Sequence, residues 1–264
     1  MKVRACSSRP VLNKCTLETL DFQVDPYIGC EHYCYYCYAL NQAETDWTKE
    51  VLIYRDITNQ LNDELSEIPP QTIYMGWEKD PYQPCEGECR QTRQALECLL
   101  AKGFSASTLT KSDLVLRDAD LLQEMNDASV SVSVAFDDDS VRRRFEGNTI
   151  PTESRINALA ELRRTGVRTS ALICPVIPYI TEVEPLIEEL VPLTDRIWIY
   201  GLNIPDRSEE NWKNVERILA RDFANLREQI EKAIFSRDHP CWTKLRKNLL
   251  ELQKDRQLNL NIRL

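Results

Sequence analysis

From residue 22 onward, short apolar runs of strand character alternate with segments whose apolar residues recur at helical spacing, and this alternation restricts the architectures open to the chain. Residues 22–28 read as a first strand, followed by Ile57, Leu61, Leu65 and Ile68 in helical register. Residues 72–77 read as a second strand, and Ala95, Leu96, Leu99 and Leu100 mark a helix that Gly103 can end through a left-handed cap. The cycle continues with a strand at 105–110 and a helix around Leu121, Leu122 and Met125. A strand at 130–136 precedes a helix that Thr152 can cap and Gly166 can stop. Strands at 169–177 and 196–200 flank a helix carrying Val183, Leu186, Ile187 and Leu190. About six β-then-α units imply an α/β fold with a parallel sheet and helices outside it. A closed barrel of this kind needs eight, so the expectation for residues 1–204 is a partial, open barrel.

After Asn203 the pattern becomes helical. Val215, Ile218, Leu219, Leu226 and Ile230 suggest one long helix, and Trp242, Leu245, Leu249 and Leu252 another, so residues 205–264 read as a helical C-terminal extension. His239, beside Pro240, reads as a surface loop residue. The first residues contain no apolar run, and the apolar stretch at 171–180 is broken by Pro175 and Pro178, which argues for a cytoplasmic protein without a membrane span. Lysine and arginine total 33 against 42 acidic residues, a formal charge of −9 that gives no global attraction to nucleic acid.

Three of the ten cysteines fall within eight residues, in Gly29-Cys30-Glu31-His32-Tyr33-Cys34-Tyr35-Tyr36-Cys37. Thiols spaced three and then two residues apart can wrap one face of an iron–sulfur cubane. Such clusters normally take four cysteine ligands, so a local triplet leaves one iron open unless a distant cysteine closes it. A structural zinc site completed by His32 or a remote cysteine is the competing reading, but zinc sites favour paired Cys-x-x-Cys elements and no second pair is present. Apolar burial of three unrelated thiols does not account for the spacing in a tyrosine-rich loop.

Cys-x-x-x-Cys-x-x-Cys after a first strand resembles the signature of the radical S-adenosylmethionine (SAM) superfamily. The passages Asp25-Pro26-Tyr27-Ile28-Gly29-Cys30, Asp80-Pro81-Tyr82-Gln83-Pro84, Thr110-Lys111-Ser112 and Leu116-Arg117-Asp118 follow in the order of the branch that includes spore photolyase. The resemblance spans about residues 10 to 204. It implies a [4Fe-4S] cluster on Cys30, Cys34 and Cys37, with SAM on the open iron. Reductive cleavage of SAM then yields a 5′-deoxyadenosyl radical that abstracts hydrogen from a substrate. The cofactors carry the chemistry and the protein orients them.

The resemblance also implies roles for single residues. Tyr36 takes the aromatic position against the adenine. Gly76 and Glu78 lie where related enzymes offer a backbone edge and a carboxylate to the SAM ammonium, although Trp77 replaces a glycine there. Lys111 and Ser133 match positions that contact the SAM carboxylate and ribose, and Arg155 is placed to reach a carboxylate. Cys85 lies in the region where spore photolyase keeps a hydrogen-donating cysteine, while Trp77 lies nearer the matching register. The implied activity is radical, lyase-like or other, with ferredoxin or flavodoxin as electron donor. DNA lesion repair is one substrate class; a peptide, RNA or small molecule is the alternative. A non-catalytic electron-transfer protein, with a fourth cysteine closing the cluster, is the reading from a different class.

Overall fold

Pro26 lacks a backbone donor and constrains the residue before it, so the first predicted strand is cut in two. The computed structural model describes residues 1–7, 9–17 and 19–264. Its strands and helices begin with β1 (Lys2–Ala5), β2 (Leu12–Lys14), β3 (Phe22–Val24), β4 (Tyr27–Ile28), β5 (Glu50–Ile53) and α1 (Ile57–Leu65). There follow β6 (Thr72–Met75), α2 (Glu86–Cys89), α3 (Gln91–Ala101), β7 (Ser105–Thr110), α4 (Ala119–Glu124), β8 (Ser129–Ser133), α5 (Asp139–Phe145) and α6 (Thr152–Thr165). The chain ends with β9 (Arg168–Val176), α7 (Val183–Leu190), β10 (Arg196–Gly201), α8 (Glu210–Asp222), α9 (Arg227–Ile234), α10 (Pro240–Arg256) and β11 (Leu260–Arg263).

The main sheet follows the order β2-β3-β6-β7-β8-β9-β10-β11. The pairs β3–β6, β6–β7, β7–β8, β9–β10 and β10–β11 are parallel, and β2 is antiparallel to β3. Among the described residues the sheet does not close, as expected of a partial barrel. A smaller sheet, β1-β5-β4, takes the second half of the predicted first strand.

The chain divides into two units. The first comprises residues 1–33, 43–132 and 157–169; the second comprises 34–42, 133–156 and 170–264. In the first unit, Val24, Ile73, Met75, Ala106, Val130 and Val132 are buried on one face of the strands. Ile57, Leu61 and Leu65 of α1 and Ala95, Leu96 and Leu99 of α3 are buried with them, as the period-2 and helical patterns require. Gly103, with φ of +76°, ends α3 as the sequence predicts. Ile68 falls outside α1, which stops before Pro69-Pro70.

The second unit is built on a core that joins Cys34, Tyr36, Phe136 and Phe145 to Trp212, Val215, Ile218, Leu219, Ile230 and Ile234. The single long helix expected across 215–230 is two, α8 and α9, because Phe223 and Leu226 at the bend also pack on this core. Thr152 does not cap α6; its hydroxyl donates to the Phe136 carbonyl at 2.8 Å. His239 is no idle loop residue, since its Nδ1 caps α10 by accepting from the Cys241 amide at 3.3 Å. The extension also ends in a strand, β11, parallel to β10, which its helical pattern gave no reason to expect. Among the described residues no helix is long and apolar enough to cross a membrane.

Candidate cofactor-binding and active site

The cysteine loop is shaped by left-handed backbone at Gly29 (φ +92°) and Tyr33 (φ +41°). Short turns follow: the Tyr33 amide donates to the Cys30 carbonyl at 3.3 Å, and the Cys37 amide to the Cys34 carbonyl at 2.9 Å. Cys30 and Cys34 are buried and Cys37 is half-buried.

In the first unit, the turn Asp80-Pro81-Tyr82-Gln83-Pro84 holds the start of this loop. Buried Asp80 accepts from the Thr110 hydroxyl and the Lys111 amide, both at 2.7 Å, and its Oδ2 lies 3.3 Å from His32 Nε2. Burial alone would raise the Asp80 carboxyl, but His32 and these donors hold it below its ordinary value. Gln83 is fully buried; its Nε2 donates to the Gly29 carbonyl at 3.1 Å and its Oε1 accepts from the Glu31 amide at 2.8 Å. The Glu31 carboxylate accepts from the Cys85 amide at 2.5 Å. Burial, and then the charge of Glu31, push the Cys85 thiol up, which keeps it protonated.

Beneath this turn, Glu86 and Asp118 are fully buried carboxylates. Glu86 accepts from Tyr27 and Arg117 side chains and from the Thr92 amide, and Asp118 accepts from Arg93 at 2.9 Å and Arg117 at 2.6 Å. The passage Leu116-Arg117-Asp118 thus anchors the turn. Gly76, at φ +99°, passes so close to β7 that any Cβ would collide with the Leu109 carbonyl oxygen. Glu78, about a third exposed, pairs with Lys79, whose Nζ lies 4.0 Å from Asp25.

In the second unit, the Tyr36 hydroxyl donates to Glu146 Oε1, and Arg155 Nη2 donates to Glu146 Oε2 at 2.6 Å. Arg155 Nη1 donates to the Ser133 carbonyl at 2.9 Å, and the Ser133 hydroxyl donates to the Cys174 carbonyl at 3.3 Å. Glu146 therefore brings three predicted site residues, Tyr36, Ser133 and Arg155, into one buried network. The carboxylate that Arg155 meets here is the protein's own. From the extension, the buried Asn211 side chain donates to the Tyr36 carbonyl at 3.3 Å.

The donor set fits an iron–sulfur cluster by its chemistry, since three soft thiols within eight residues suit iron–sulfur ligation. The model of the radical SAM family matches residues 24–190. The chain belongs to the radical SAM superfamily.

This radical SAM protein is 29% identical over 208 residues to an uncharacterized protein of Methanocaldococcus jannaschii, across 77% of this chain and 78% of the relative. Among solved structures, a mutant spore photoproduct lyase with bound AdoMet and dinucleoside spore photoproduct superposes with a TM-score of 0.68. Identity is 14%, and the match covers 98% of this chain and 80% of that one. Streptococcus suis SuiB bound to S-adenosylmethionine gives 0.57 at 12% identity, covering 90% of this chain and 48% of that one. The fold is therefore that of partial-barrel radical SAM enzymes, and the family implies a [4Fe-4S] cluster and SAM.

The sequence marks Asp80–Pro84 only as a passage of the resemblance and gives Gln83 no role. Neither Glu146 nor Asn211 stands out from the sequence as a site residue. A glutamine between two prolines carries no compositional signal, and Asn211 lies in a stretch that reads as ordinary amphipathic helix.

Proposed function

We propose that this radical SAM enzyme cleaves SAM reductively and uses the product radical to abstract hydrogen from an organic substrate. The observation that carries the reading is the Cys30, Cys34, Cys37 triplet inside the matched family region, on a loop whose backbone is fixed by buried polar groups. When bound, the cluster and SAM supply a 5′-deoxyadenosyl radical. The three thiolates hold the cluster, and Tyr36, anchored through Glu146, offers its ring to the adenine. Glu78 and the backbone at Gly76 receive the SAM ammonium. Lys111 and Ser133 meet the SAM carboxylate and ribose, with Arg155 holding the Ser133 backbone and Glu146. Cys85 would return a hydrogen atom to the substrate radical and be left as a thiyl radical, which one electron from the ferredoxin or flavodoxin and one proton would restore to S–H; its burial and Glu31 both favour the S–H form that a hydrogen donor needs. Ferredoxin or flavodoxin supplies the electron.

Anaerobic reconstitution followed by dithionite and SAM tests the reading. We expect about four irons per chain and formation of 5′-deoxyadenosine. Cys34→Ala should lose both while retaining the fold. A full cluster whose spectrum SAM leaves unperturbed, with no cleavage, would refute the catalytic reading, and one zinc without sulfide would refute the cluster itself. For Cys85, normal product at wild-type yield from Cys85→Ala would remove it as donor.

A further inference from the structure

We propose that Gln83 is the positioning residue for Cys30: its side-chain amide fixes the direction in which that thiol leaves the backbone. The inference rests on the reading of Cys30 as a cluster ligand. Two peptide planes flank Cys30 and set its φ and ψ, one ending in the Gly29 carbonyl and the other in the Glu31 amide. Gln83 bonds one atom of each, donating to Gly29 O at 3.1 Å and accepting from Glu31 N at 2.8 Å. Rotation about either backbone bond of Cys30 breaks one of these contacts. The amide's orientation is itself determined, because only nitrogen can face the carbonyl and only oxygen can face the N–H.

Gln83 is rigid in turn. It is fully buried, and Nε2 also reaches the Asp80 carbonyl of its own turn at 3.3 Å. At Gly29, φ is +92° and a Cβ would press at 3.3 Å on the Glu50 carbonyl oxygen, the Thr45 hydroxyl and the Trp47 ring, so the residue before Cys30 is closely packed as well. A second bond, from the Cys85 amide to the Glu31 carboxylate, ties the next residue to the same turn. A ligand thiol held this way needs no ordering when the cluster assembles, and the direction of a ligand is only as well fixed as the contacts that support it.

A conserved-volume change separates this role from general stability. Gln83→Met fills the space and removes both hydrogen bonds. Gln91→Met is the control: Gln91 is also buried in the first unit, and its Oε1 accepts from the Tyr54 amide at 3.0 Å rather than from a residue of the cysteine loop. Both variants lose a buried side-chain-to-backbone bond and should melt at lower temperature than the wild type. Only Gln83→Met should lose iron on anaerobic reconstitution, by severalfold, and shift the electron paramagnetic resonance g values of the reduced cluster that remains. In protein free of iron, Gln83→Met should also raise alkylation of Cys30 severalfold relative to buried Cys98, measured by peptide mass spectrometry. Gln83→Glu keeps the acceptor for Glu31 and loses the donor to Gly29, so it should fall between the two and serves if the methionine variant does not fold. Wild-type iron content, g values and Cys30 alkylation in Gln83→Met, or equal changes in Gln91→Met, would overturn the proposal. A wild-type protein that binds no iron would instead sink the ligand assignment of Cys30, while the alkylation result would still report on the clamp.

Discussion

Arg155 Nη2 lies 2.6 Å from Glu146 Oε2, and neither side chain has more than 1% of its surface exposed. The guanidinium makes four further hydrogen bonds to three acceptors: the Ser133 carbonyl, the Thr149 hydroxyl and, through both Nη2 and Nε, the Ile150 carbonyl. Removing one member of such a pair leaves an unpaired charge in a dry interior, which costs roughly 3–5 kcal/mol. Arg155→Met should destabilise the protein by about that amount in a urea titration. Removing both charges, in Arg155→Met with Glu146→Gln, should recover part of the loss. Arg155→Lys should not rescue, because one ammonium cannot reach all the acceptors spread around the edge of the guanidinium. A loss below about 1 kcal/mol for the single change would show that the pair is solvated in solution.

Gly76 is required by its surroundings before any ligand is considered. Its φ of +99° is strained for other residues, and the Leu109 carbonyl oxygen occupies the place of a Cβ. Gly76→Ala should therefore force β6 and β7 apart at their C-terminal ends, with a loss of several kcal/mol, more than the 1 kcal/mol or so typical of a helix-interior or strand glycine change. Thermal unfolding followed by circular dichroism gives the measurement. An alanine variant within about 2 °C of the wild type would mean that the strand ends relax freely.

Much of the fold was legible because each unit repeats one grammar: a β-branched run, a turn residue, an apolar stripe at helical spacing. Ser105–Thr110 and the Gly103 and Gly166 stops were read correctly on that basis, both glycines having positive φ. What failed were elements whose cause is distant in sequence. β4 pairs with β5 across the whole cysteine loop, and β11 finds β10 some sixty residues earlier, so neither leaves a local pattern. α5 did carry a signal, since Asp138 caps it by accepting from the Ser140 amide at 2.7 Å, but a run of acidic residues hid the cap. At the site, the cysteine spacing carried chemistry that spacing alone can express. The side chains that hold that loop, Gln83, Glu31, Glu146 and Asn211, act through one or two hydrogen bonds each between segments 50 to 175 residues apart, which no motif records.

Asp25 gives a prediction in pH. Burial pushes its carboxyl up to about 6, against the opposing charge of Lys79. An unfolded aspartate titrates near 3.9. Between those values the folded protein holds the proton and the unfolded chain does not, so this group's contribution is greatest at low pH and is lost as pH rises from about 4 to about 6. At about 1.4 kcal/mol per tenfold change in proton affinity, the loss is on the order of 3 kcal/mol. Asp25→Asn, whose amide oxygen can still accept from Gln23, should abolish that pH dependence and leave the variant more stable than the wild type above pH 6. Urea midpoints at pH 4, 5, 6 and 7 provide the comparison, and parallel curves for the two proteins would contradict the assignment.

The C-terminal extension should prove inseparable from the second half of the cysteine loop. Trp212 of α8 is buried in the same core as Cys34 and Tyr36, and its ring meets that of Phe235, just past α9, edge-on with centroids 4.8 Å apart. The neighbouring Asn211 is pinned at both ends, its backbone amide donating to Asn41 at 3.1 Å and its side chain to the Tyr36 carbonyl. Trp212→Ala removes a large buried side chain and should cost about 3–5 kcal/mol. Asn211→Ala should cost less, about 1–2 kcal/mol, because it deletes one buried hydrogen bond to the Tyr36 carbonyl. The distinguishing consequence is local. If α8 braces the loop, Asn211→Ala should raise hydrogen exchange of the Tyr35 and Cys37 amides by tenfold or more, while exchange in β7 of the other unit stays at the wild-type rate. Equal acceleration in both places would make Asn211 a contributor to global stability alone, and the extension an appendage to the loop rather than its support.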